Sequence, residues 1–235
     1  MDVMIQLALA ILPAALLWLY IWKLDTRPEP AGQLLRAVFY GICICVPVAL
    51  LEVVIEQMLF GGEPTTVIGT TIQAFWVAAI PEESMKLLAL WLVLRHNPYF
   101  DEHFDGIVYA VCVGLGFAAV ENIFYVFSQE EWLSVAISRA LLAVPGHYAF
   151  AILMGYYYSV YHFVDHSSRT ATCILLVPVL AHGIYDAIAL STAIIPAVGG
   201  ITFTLLIFFC VRVHKFARKK MLAQIDRDAH SEMNA

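Results

Sequence analysis

Seven stretches of the sequence, residues 3–22, 34–60, 70–94, 104–127, 138–164, 171–194 and 196–213, are long and apolar enough to cross a bilayer. A helix needs about 20 mostly apolar residues to do so, because lipid offers no partners to backbone N–H and C=O groups. Nothing else in the chain restricts its fold as strongly. The rest of the composition agrees: 61% of the 235 residues are hydrophobic and 14% are charged, with a mean hydropathy of +0.79. That leaves too little polar surface for a water-facing domain and far too much apolar content for disorder. The expected fold is therefore all-α, a polytopic transmembrane helix bundle. Pro145-Gly146 interrupts the fifth stretch, and eight segments are expected if it breaks there. The last two spans are separated only by Ile195-Pro196 and should form a tight hairpin.

The first span begins Met1-Asp2 with no basic leader, and its apolar run is longer than that of a signal peptide, so it reads as a retained helix. Loop charges give the orientation. Lys23, Arg27, Arg36, Arg95, Arg169, Arg212, Lys215, Arg218, Lys219, Lys220 and Arg227, eleven of the 13 basic residues, fall in alternate loops and the tail. The opposite loops hold Glu63, Glu130 and Glu131. The positive-inside rule then places the N-terminus outside and the C-terminus in the cytoplasm. Net charge is −6 and no basic face suits nucleic acid. The five cysteines lie in apolar runs, without the spacing of a zinc knuckle or disulfide framework, and read as core residues. Asp101, Glu102, His103 and Asp105 read as solvated charges at the cytoplasmic mouth. Trp18, Trp22, Trp91 and Trp132 read as interfacial belt residues, and the tail after Val213 as a frayed helix.

Ionisable residues inside the spans need a reason, since each costs at least about 2.5–3.5 kcal/mol at the bilayer centre. They are Glu52, Glu56, Glu82, Glu83, Lys86, Glu121, His147, His182 and Asp186. Counting about 1.5 Å per residue from the outer ends 70, 127, 138 and 194 puts Glu82 ~18 Å deep, Glu121 ~9 Å, His147 ~14 Å, His182 ~18 Å and Asp186 ~12 Å. Four helices of alternating direction thus bring polar groups to one layer in the outer half. His182 and Asp186 share a helix face, as do Glu82 and Lys86. Arg139 reads as a helix-mouth anchor or a partner of Glu130 and Glu131, and Glu52 and Glu56 as the wall of a water-filled entrance or as snorkelling groups. Ala110, Gly114 and Ala118, with Gly116 nearby, suit close helix approach.

Carboxylates and imidazoles around a buried water suit hydrolysis. His-Glu-x-x-His, Gly-x-Ser-x-Gly and the second half of an intramembrane aspartyl signature are absent, which leaves a glutamate-centred site. An ion or proton path through the acids and a non-catalytic scaffold are the alternatives; the inner third of the central spans offers no acid to continue such a path.

Glu82-Glu83-Ser-Met-Lys86, Gly116-Phe-Ala-Ala-Val-Glu121-Asn122, Pro145-Gly146-His147 and His182-Gly-Ile-Tyr-Asp186 together resemble the PrsW family of intramembrane proteases, within the wider group of CAAX prenyl proteases and bacteriocin-processing proteins. The resemblance implies a protease core at about 70–194 in a single domain 1–213, with a tail at 214–235. It also implies cleavage of single-span membrane proteins, anti-sigma factors among them, on the extracytoplasmic side of a bacterial-type cell membrane. On this reading Glu82 is the general base and Glu83 pairs with Lys86. Glu121, His147 and His182 form a set that could hold Zn²⁺, with Asp186 orienting or supplementing His182. A metal-free glutamate mechanism is the rival. The partners expected are that substrate and membrane lipids; no oligomeric state is implied.

Overall fold

The computed structural model describes residues 2–62, 64–195, 197 and 199–233. Met1, Glu63, Pro196 and the end of the tail, named above, lie outside the described residues. Within them the chain is helical, with no strand. The helices are α1 (Asp2–Leu24), α2 (Ala31–Cys43), α3 (Cys45–Leu59), α4 (Val67–Ile72), α5 (Ile80–Leu94), α6 (Asp105–Ser128), α7 (Trp132–Ser138), α8 (Val144–Phe163), α9 (Ser168–Ile194) and α10 (Gly199–Met233). Two π-helical segments, Gln73–Ala79 and Arg139–Ala143, join α4 to α5 and α7 to α8 without a break.

Among the described residues, six helices are long and apolar enough to cross a membrane: Val3–Leu24, Ala31–Leu59, Asp105–Ser128, Trp132–Phe163, Ser168–Thr192 and Gly199–His230. The seventh, running from α4 through α5, matches them in length and differs by carrying Glu82, Glu83 and Lys86. Exposed Val, Leu, Ile and Phe side chains, such as Leu50, Val53, Phe124 and Phe208, form the lipid-facing surface. The protein is thus an integral membrane protein. The expected break at Pro145-Gly146 does not occur. Pro145 sits in the first turn of α8, where its missing N–H leaves no bond unmade, and the span reaches back to Trp132.

α6 is the central helix, buried on every side from Asp105 to Ala118. Glycine allows this closeness. A Cβ on Gly155 of α8 would lie 2.3 Å from the Gly106 carbonyl oxygen, and one on Gly41 of α2 would lie 2.1 Å from that of Val113. Gly114 and Gly116 leave similar room for Ala151 and for the Val38 backbone. In lipid, where apolar burial gives helices little reason to associate, such backbone approach supplies the packing. Gly155→Ala should therefore lower stability by about 1–3 kcal/mol, because the obstructing atoms are backbone and cannot move aside. Thermal unfolding in detergent would show this against Gly32→Ala, which meets nothing within 4 Å.

Away from the candidate site, the ends of the helices differ from the expected solvated mouth and frayed tail. α10 continues to Met233, burying Ala217, Met221 and Gln224. Its Asp228 accepts from the backbone N–H groups of His103 (2.9 Å) and Phe104 (2.8 Å) and lies 2.7 Å from His103 Nδ1. It thereby serves donors that the start of α6 would otherwise leave unpaired. Glu102 and Asp105 are buried, not solvated. Asp105 Oδ2 accepts from the Asp101 and Glu102 N–H groups at 3.1 and 2.7 Å. Arg27 pairs with Glu102, and the Tyr109 hydroxyl donates to Glu29. Burial holds the carboxyl groups of Asp25, Glu29 and Glu102 above the ordinary carboxylate range. Trp18 also turns inward, donating from Nε1 to Cys112 Sγ at 3.2 Å. Of the cysteines, Cys45 and Cys112 are core residues as expected, whereas Cys43 is exposed.

Candidate active site

Both segments that carry the central residues are wound the same way. Proline lacks an N–H and its ring crowds the carbonyl four residues earlier. Before Pro81 the helix widens, so that the Ile80 N–H bonds the Phe75 carbonyl five residues back. Before Pro145, the Val144 N–H bonds the Arg139 carbonyl in the same way. Such π turns shift the phase of a helix and are frequent at functional sites. Here each one immediately precedes polar side chains, Glu82 and Glu83 in α5 and His147 in α8. Gly183, next to His182, gives the Phe75 ring its place: a Cβ there would lie 2.4 Å from that ring.

These side chains meet. Lys86 Nζ donates to Glu82 Oε2 and Glu83 Oε1, both at 2.9 Å, and lies 3.1 Å from His147 Nδ1. Glu83 Oε1 is 2.9 Å from His182 Nδ1. Each imidazole has a carboxylate at its other nitrogen: Glu121 Oε2 is 2.8 Å from His147 Nε2, and Asp186 Oδ2 is 3.1 Å from His182 Nε2. The two rings stand 5.3 Å apart at 84°. Phe150 stacks on His182 at 5.1 Å, and the Phe117 ring faces the Lys86 ammonium at 4.2 Å. None of Glu82, Glu83, Lys86, His147 and His182 is more than 5% exposed. One ligand atom from each of Glu82, Glu83, His147 and His182 lies within 4.8 Å of the others.

Glu121, placed by the sequence in a ligand set with His147 and His182, lies outside that group of four. It sits behind His147, held by Arg139 Nη2 at 2.7 Å. Arg139 is neither a helix-mouth anchor nor a partner of Glu130 and Glu131. Its Nε donates to Asn122 Oδ1 at 2.8 Å, its guanidinium lies 3.9 Å over the Tyr125 ring, and Asn122 in turn donates to the Ala10 carbonyl at 2.7 Å. The sequence signal for this was Arg139 itself, a charge inside an apolar span, with Asn122 next to Glu121.

A cavity of about 730 Å³ adjoins the group, lined by Glu82, Glu121, His147, His182 and Asp186 together with Glu52, Glu56 and Arg139. Glu83 and Lys86 do not line it. Glu56 and Glu52 belong to its wall, as the entrance reading has it, and Glu56 accepts from Gln73 Nε2 at 2.9 Å.

A polytopic bundle that buries two carboxylates and two imidazoles beside a cavity has the form of a hydrolase working within the membrane. Comparison with known proteins gives the family: residues 29–213 match the PrsW family of intramembrane metalloproteases, and the chain belongs to it. It is an intramembrane protease. Among curated relatives, the protein named Protease PrsW of Clostridioides difficile (strain 630) is 35% identical over 187 residues, 77% of each chain. That of Bacillus subtilis (strain 168) is 34% identical over 215 residues, covering 90% of this chain and 94% of the relative. That of Oceanobacillus iheyensis is 33% identical over 183 residues, 77% of this chain and 81% of its own. No solved structure matches the chain.

Proposed function

We propose that the protein hydrolyses a peptide bond of single-span membrane proteins near the extracytoplasmic face of a bacterial-type cell membrane, with anti-sigma factors as the substrate class. The carrying observation is that Glu82, Glu83, His147 and His182, from three spans, converge within 4.8 Å beside a cavity at membrane depth. The excess of basic residues in alternate loops supports an external N-terminus and a cytoplasmic tail.

Three features fit a divalent metal. Two imidazoles and two carboxylates are a donor set suited to zinc. Glu83 Oε2 is buried with no hydrogen-bond partner among the described residues. His182 lies between two acceptors, Glu83 and Asp186, so a proton or a cation is needed at its Nδ1 if Nε2–H serves Asp186. His147 and His182, with a carboxylate oxygen of the Glu82-Glu83 pair, would hold the ion, and the Lys86 ammonium, 3.1 Å from His147 Nδ1, would have to withdraw from that nitrogen. When bound, it supplies Lewis acidity and acidifies water. Glu121 and Asp186 then fix the ring orientations by accepting from Nε2–H, the role carboxylates commonly take behind metal-bound histidines.

Glu82 faces the cavity and takes the proton of the attacking water; returning it to the leaving amine completes the cleavage. Glu83, behind it, binds Lys86 and keeps Glu82 in place. Elemental analysis of purified protein should find about one equivalent of zinc, and His182→Ala should lose it. Full cleavage at substoichiometric metal, unaffected by chelator, would instead favour the metal-free glutamate mechanism.

A further inference from the structure

One wall of the cavity is α3, in which only Cys45 and Val48 are buried and Val46, Leu50, Val53 and Met58 are exposed. Glu52 and Glu56 lie one turn apart on its cavity side. Glu56 has the Gln73 amide. Glu52, although it sits in a membrane span, has neither a hydrogen bond nor an ion pair among the described residues. The cations that could answer it are engaged elsewhere, Lys86 with Glu82 and Glu83, and Arg139 with Glu121 and Asn122. Five carboxylates, Glu52, Glu56, Glu82, Glu121 and Asp186, line the cavity against the single guanidinium of Arg139. A carboxylate at membrane depth is costly unless it meets a positive charge.

We infer that Glu52 is a specificity-determining residue, which receives a Lys or Arg side chain of the membrane-spanning substrate close to its scissile bond. A basic side chain near the end of a span lays its stem in lipid while its head seeks water or an anion. The inference rests on the protease reading for what occupies the cavity. It is tested by binding, so that the two can fail separately.

The experiment uses the full chain in phosphatidylcholine nanodiscs, carrying Glu82→Gln so that no peptide is consumed. Photo-crosslinkable single-span peptides carry one Lys, Gln or Glu walked through the segment. At one register the Lys peptide should bind about tenfold tighter than the Gln peptide. Glu52→Gln should abolish that difference without moving the thermal midpoint. Glu52→Lys should make the Glu peptide the better ligand, a reversal that misfolding cannot produce. No Lys preference at any register, or one that survives Glu52→Gln, overturns the inference. So does a preference that disappears when phosphatidylethanolamine is added, since the carboxylate would then serve the lipid amine. Lys-dependent binding by a wild-type chain that never cuts the peptide would uphold the recognition and sink the hydrolysis.

Discussion

Glu82→Gln should reduce cleavage by about 10²–10⁴-fold while leaving thermal stability close to that of the wild type. The amide is nearly isosteric and its oxygen can still accept from Lys86 Nζ, now 2.9 Å from Glu82 Oε2. What it cannot do is take a proton from water. Glu83→Gln should behave differently, because Glu83 is 0% exposed and its Oε1 serves both Lys86 and His182. An amide there weakens two charge-assisted contacts at once, so the thermal midpoint should fall together with the rate. Single-turnover cleavage and thermal unfolding on the same two preparations separate the roles. If Glu83→Gln were inactive at normal stability and Glu82→Gln fully active, the base would be Glu83.

The larger stability effect belongs to Lys86→Met. The ammonium is 4% exposed and lies between two adjacent carboxylates, each 2.9 Å away. Removing it leaves like charges side by side in a buried site, a change that typically costs about 3–5 kcal/mol. Met keeps the length and the contact with Phe117, so lost packing contributes little. Adding Glu83→Gln to Lys86→Met removes one of the stranded charges and should recover part of the loss. The double variant would then be more stable than the sum of the single effects predicts. Strict additivity would mean that Lys86 and Glu83 do not act as a pair.

The spans and the layer in which the polar groups meet were legible because depth along a helix follows from residue count alone. Glu82, His147 and His182 could therefore be brought together without knowing how the helices rotate. Rotation was not legible, and the placing of Glu121 depends on it. Glu121 had suitable depth for a ligand, but only the packing of α6 against α8 shows it to lie behind the imidazole of His147, with Arg139 on its far side. Pro145-Gly146 looked like a break because a proline inside a regular helix is one; a π turn just upstream removes the conflict. Glu102, His103 and Asp105 looked solvated because adjacent charges near a span end usually are. Asp105 binds the nearby N–H groups of Asp101 and Glu102, whereas the partner of His103, Asp228 on a helix more than a hundred residues away, leaves no local trace.

The two widened turns also mean that neither span can be drawn on a single helical wheel. Cysteine-accessibility scanning along 67–94 or 132–163 should show water-reachable positions recurring every three to four residues, then slipping out of step across 73–79 and 139–143. Deleting one residue within either stretch should restore ordinary winding and keep the downstream acids or imidazole in phase with the upstream half, whereas deleting one from the regular turns beside it would swing them by about 100°. In this protein the spacing between residues is itself a functional part, one that substitutions alone do not probe.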